Sequence, residues 1–224
     1  MRQTERLNDN ELALRVAFDG LSAGLRVAMP GIVQSYNPIQ GTCVINLSIM
    51  GKIVNDQGDA SFVRIAPVLD VPVVYMGGGN FVTTYPIQPG DEALVVFSDR
   101  CIDSWWQSGG IQIPADPRMH DLSDGFALIG PRSLAKSIPN VSITTAQFRS
   151  LDGSTFFEIA PGQLANVVAP GGVTITGPVN INGNVTVTGS VTASQEGTFK
   201  AIPVSSHVHG GVQTGGSDTG APIA

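Results

Sequence analysis

The chain has 224 residues, a formal net charge of -6 and only 13% charged side chains. No basic patch is available to neutralise phosphates or anionic lipid, so no nucleic-acid partner is expected. Gly and Pro are frequent, at 27 and 15 residues, and aromatics make up only 6%; this suits many short strands joined by turns and excludes a helical bundle.

The first residues, MRQTERLNDN, are polar and lack the apolar core of a secretory leader, and no apolar run reaches the roughly 20 residues of a membrane helix. A soluble product assembled in the cytoplasm is therefore expected. From about Asp9 to Leu21, Leu12 and Val16 with Ala13 and Ala17 recur at helical spacing, and Asn8 or Asn10 can cap the start. One short helix is predicted there, within an N-terminal arm over 1–27.

Pro30-Gly31 follows the helix, and afterwards alternation takes over. Cys43, Ile45, Leu47 and Ile49 share one strand face, with Thr42, Asn46 and Ser48 on the other. Further strands are predicted over 62–67, 71–76, 80–85 and 92–97. The turn signals Gly77-Gly78-Gly79 and Pro89-Gly90-Asp91 separate them. Five or so strands in this space suit a small closed barrel without free edges, and an OB-like barrel is predicted over 28–118. Cys43 and Cys101 have no metal or redox spacing and read as buried free thiols. Trp105 and Trp106 read as packing at the barrel's end or against a neighbouring subunit. Residues 119–140 form a connector. The cluster His120, Asp121, Ser123 and Asp124 has the residue types of a hydrolase triad but no nucleophile-elbow context, and reads as turn capping.

From Ile159 onward only Glu196, Lys200 and Asp218 carry charge, and Phe199 is the sole aromatic. Such a segment has too few large apolar side chains to offset its ordering entropy as a monomer, about 1–2 kcal/mol per residue. Yet a six-residue unit recurs without a gap: VTITGP from Val173, VNINGN from Val179, VTVTGS from Val185 and a fading VTAS from Val191. Alternation sends Val173, Ile175, Val179, Ile181, Val185, Val187 and Val191 to one side and Thr, Asn and Ser to the other. A single-chain β-helix needs about three hexads per coil and several coils. Here there is barely one coil, so the missing strands must come from other chains. Three copies about a three-fold axis give a prism with an aliphatic core, an intertwined trimeric β-helix over 141–198. Strands near 148–150 and 155–159, joined around Asp152-Gly153, lead into it.

Residues 199–224 form the tip, where Val208 separates His207 from His209. In a strand both imidazoles share a face, and three chains would offer six nitrogens, enough for an octahedral ion. Fe, Ni, Zn and Cu all accept imidazole, while zinc's preference for four ligands disfavours it.

The helix leading into MPGIVQSYNP, the turn at 89–91, DRCIDSWWQSGG, RMHDLSDGFALIG, the V-x-V-x-G repeat and SSHVHGGVQTGGSDTGAP together resemble the central spike, or membrane-piercing, proteins of contractile-tailed bacteriophages. The resemblance implies a non-enzymatic virion component of the tail baseplate. Its OB-like domain would sit in the hub or on tail-tube proteins, and its homotrimeric β-helix would meet the host outer membrane only transiently. It further implies a tip with one iron per trimer held by His207 and His209. A trimeric receptor-binding tail fibre or adhesin is the alternative, but the shaft is short and its end nearly lacks aromatics. A secretion-machine spike or phage-derived particle shares the same physics. A mononuclear iron oxygenase would need a carboxylate and open coordination positions, which six imidazoles do not leave.

Overall fold

The computed structural model describes residues 10–55, 57–162, 164–195, 197–199 and 202–203. The chain divides into two compact units, residues 1–170 and 171–224.

The first unit opens with helix α1 (Asn10–Gly24). The barrel is built from β1 (Ala28–Asn37), β2 (Thr42–Leu47), β5 (Val68–Pro72), β8 (Glu92–Phe97) and β9 (Gly125–Ile129). These form one sheet in the order β5-β2-β1-β8-β9, and every neighbouring pair is antiparallel. The sheet curls until its two edges meet: Val73 bridges Ala127 in parallel, and the Val74 amide donates to the Ala127 carbonyl at 2.9 Å. This is a five-stranded, partly open barrel of the OB kind. Two hairpins interrupt it, β3 (Gly51–Val54) with β4 (Ala60–Val63), and β6 (Gly77–Gly78) with β7 (Phe81–Val82).

The core is aliphatic. Val33, Ile45, Val71, Val95 and Ala127 are at most 2% exposed, with Phe97 and Ile87 closing the cluster. Alternation produces it directly: in β8, Ala93, Val95 and Phe97 are buried while Glu92, Leu94 and Val96 are only partly covered. Cys43 and Cys101 are buried free thiols, as read from the sequence. Burial, aided by the charge of Asp91, pushes the Cys43 thiol up to about 11.

Pro30-Gly31 lies inside β1, the central strand, over a stretch for which the sequence predicted no strand. Pro30 sits one residue outside the β1–β2 ladder, which begins at Gly31 opposite Leu47, so its missing N–H costs no bond there. Its carbonyl accepts the Ser48 amide at 2.8 Å. Gly31 is required by packing: a Cβ there would lie 2.4 Å from the buried Ile45 Cγ2. The barrel also extends past residue 118, because β9 falls within the stretch expected to be a connector and supplies the closing edge. The strand expected over 80–85 shrinks to Phe81–Val82, and that expected over 62–67 is Ala60–Val63.

After the barrel come β10 (Ala146–Arg149), β11 (Phe156–Ala160) and β12 (Leu164–Val168), an antiparallel three-stranded sheet. The β10–β11 turn is tied by Asp152, whose carboxylate accepts from the Ser150 hydroxyl at 2.6 Å and from the Ser154 amide at 3.1 Å. These donors hold its carboxyl down to about 2.

Gly31→Val is expected to destabilise the barrel by about 1–3 kcal/mol, since Ile45 is buried and cannot retreat without strain. Chemical denaturation followed by tryptophan fluorescence would read the shift. Neither cysteine is expected to react with a thiol reagent at pH 8 until the protein unfolds, because Cys43 is 1% and Cys101 7% exposed.

Candidate functional site

Segment 118–124 follows the loop after α2 (Asp103–Ser108) and is organised by one buried carboxylate. Asp124 is 0% exposed and accepts from Arg118 Nε at 2.7 Å, Arg118 Nη2 at 2.9 Å and the Ile102 amide at 2.9 Å. The same guanidinium donates to Asp103 Oδ2 at 2.8 Å. Its hydrogen bond, with one from Cys101, holds the Asp103 carboxyl below the ordinary range, and the two carboxylates raise Arg118. Cys101, Asp103 and Asp124 stand close enough to share an ion. Arg118 already occupies both carboxylates, so the cluster is an internal ion pair and not a metal site.

The neighbouring polar residues build no catalytic triad. Ser123 donates its hydroxyl to Asp121 at 2.6 Å. His120 donates from Nδ1 to the Arg26 carbonyl at 3.0 Å and places Nε2 3.1 Å from Asp99. The Ser123 bond ties down a turn, the role read from the sequence, whereas His120, assigned no role from the sequence, fastens the linker before β1. Trp105 packs edge-on against Phe126 of β9 at 5.6 Å, while both tryptophans keep an exposed face.

The three-stranded sheet has two unlike faces. On one, Glu158 accepts from Gln147 at 2.8 Å, Thr145 at 3.0 Å and Asn166 at 3.3 Å, and this network lowers its carboxyl. On the other, Phe148 stands opposite Phe157 and Phe157 opposite Val167, with Ile159 beside them. This apolar face is exposed, Phe148 to 70% and Ile159 to 57%.

The second unit carries the hexad repeat. From Gly171 to Ser194 it forms no hydrogen-bonded strand within the chain. Val173, Ile175, Val179, Ile181, Val185, Val187 and Val191 are 51–78% exposed. The single chain thus displays the whole aliphatic row and covers none of it. His207 and His209 lie outside the described residues, so the geometry of the HxH pair is not part of the description.

A barrel joined to a terminal repeat that one chain cannot bury is the build of a structural component of a larger particle. Residues 29–130 match the family model of the phage protein Gp138 N-terminal domain, and residues 202–222 match that of the GpV Apex motif. Together they match a phage central spike or baseplate protein with an apex tip. The first match ends at residue 130, one residue beyond β9, and so spans the barrel including its closing strand. The second covers His207 and His209. No curated protein matches the chain.

Sequence reasoning missed the Asp124–Arg118 pair. A lone Asp before a β-rich run gives no sign of burial, and its partner lies in a loop that only the fold brings near. Asp124→Ala would leave the Ile102 amide without its acceptor and Arg118 with Asp103 alone, and is expected to cost about 1–3 kcal/mol. A fall in the thermal midpoint of the barrel, with the mass in solution unchanged, would read it.

Proposed function

We infer that the chain is the central spike of a contractile-tail baseplate. Three copies wrap into a prism that pierces the host outer membrane when the tail contracts. The observation that carries this reading is the exposed row of seven Val and Ile residues from Val173 to Val191, which needs strands from other copies to be covered. Each such side chain, once buried, contributes roughly 1.5–3 kcal/mol. The exposed face of Phe148, Phe157, Ile159 and Val167 extends the same demand to the sheet that precedes the repeat.

The tip is closed by one iron ion held by His207 and His209 of each chain. The donor chemistry fits: two imidazoles per chain give six about a three-fold axis, matched to an octahedral ion, and a shared ion ties together the ends that would fray first. Among the described residues no competing site exists, since the only clustered ligands are neutralised by Arg118.

Penetration is by force. Among the described residues no helix is long and apolar enough to cross a membrane. A closed prism pairs its backbone groups internally, which limits the cost of passing through lipid. No catalytic step is assigned to this chain: its matched families are structural phage spike proteins, and His120 fastens a linker while Ser123 serves a turn.

Elemental analysis with light scattering tests the reading. One iron per three chains at trimer mass is expected. A variant carrying His207→Ala and His209→Ala is expected to lose the metal and keep trimer mass, whereas Ile181→Asp with Val187→Asp is expected to lose the trimer. Imidazole binds only when neutral, so iron is expected to leave as the pH falls well below about 6.5. A metal-free monomer would overturn the reading.

A further inference from the structure

Among the described residues, helix α1 is joined to the barrel at its root. Three residues, Leu25 to Val27, link it to β1, and the Arg26 carbonyl among them is gripped by His120. Beyond that root every helical residue from Glu11 to Gly24 is exposed. Leu14, Val16, Phe18 and Leu21 are 57–72% exposed, so the helix does not dock on its own barrel. A helix of 15 residues is marginal by itself in water, and something must cover it for it to persist.

Its surface pattern restricts the cover. At about 100° per residue, Glu11, Arg15, Asp19 and Ser22 confine the polar side to an arc of about 80°. The 2.8 Å Glu11–Arg15 pair runs along that arc. Leu14, Phe18 and Leu21 form one apolar face, Val16 and Ala23 stand nearly opposite it, and small residues fill the gap between. A symmetric bundle of three such helices would use a seam of little more than about 100° and leave one of the two faces in water. A groove that wraps the helix would cover both.

The barrel's topology shows at which end the helix stands. The antiparallel order puts the start of β1, the end of β8, the β3–β4 hairpin and α2 at one end of the barrel. The opposite end is where β9 finishes and the chain departs toward its C-terminal repeat. The end bearing α1 also carries exposed Phe62, Trp106, Ile111 and Ile113, the last two 103% and 85% exposed. The helix therefore stands with these side chains at the barrel end that faces away from the exit, while Ile39, Met76 and Phe81 are exposed at the other.

We propose that α1 is the plug by which the spike is seated in the baseplate. It inserts into an apolar groove of a different tail protein, long enough for about 22 Å of helix, with the Glu11–Arg15–Asp19 stripe left at the groove's mouth. The proposal rests on the spike reading and adds to it the element that docks and the chemistry of what receives it.

The test uses the full chain in two states, purified alone and in tails isolated from the phage that encodes it. In hydrogen exchange, residues 10–24 are expected to exchange at least about tenfold faster in the free protein than in tails. A variant with Phe18→Glu and Leu21→Glu is expected to keep trimer mass by light scattering while its amount in tails falls at least about tenfold. Slow exchange of 10–24 in the free trimer would overturn the proposal in favour of a bundle of copies, and so would a variant retained in tails. Wild-type protein missing from tails would overturn the spike reading itself, and the proposal with it.

Discussion

The structure turns on an apolar row that its own chain cannot bury. Val173 through Val191 alternate Val and Ile with Thr and Asn so regularly that the row must become an interior, yet in one chain each of its aliphatic side chains stands more than half exposed. A short repeat with one coil's worth of hexads has no second coil to stack on. The demand for further strands is thus written into the length of the repeat as much as into its composition.

The barrel meets the opposite condition. Its five strands close on themselves through the Val73–Ala127 bridge, and its core of Val33, Ile45, Val71 and Val95 is complete within one chain. Its exposed apolar side chains lie at both ends: α1, the β3–β4 hairpin and the loop carrying Ile111 and Ile113 share the end where β1 begins, and Ile39, Met76 and Phe81 stand at the other. In the proposed assembly, a self-sufficient barrel carries two dependent extensions. The repeat is completed by copies of the chain, and the helix by a different protein.

Buried polar chemistry is spent on holding loops in place. Asp124, Arg118 and Asp103 lock the long excursion between β8 and β9, and His120 fastens the root of α1. In the proposed spike, loaded along its length, such fastening keeps the excursion that bears α2 against the barrel, together with the Trp105–Phe126 contact.

The sequence by itself determined the two-part plan. Strict period-two alternation in β8 and in the hexads marks strand-like chain with one apolar face, and in the proposed assembly the Val-x-Val-x-Gly unit is buried by copies of the chain. The HxH pair and its flanking SSHVHGGVQTGGSDTGAP placed the tip by motif. Only the tertiary structure decided the rest. Pro30-Gly31 reads as punctuation because Pro lacks an N–H, but whether that lack costs a bond depends on where the neighbouring strand ends, and β2 stops at Leu47. The strand Gly125–Ile129 is short and follows a polar loop; it becomes the barrel's closing edge because β8 and Val73 stand on either side of it. Asp124 looks like any surface carboxylate until Arg118, six residues away and folded back, makes its burial possible. Local pattern records which face must be buried, while the identity of what buries it is a property of contacts distant in sequence.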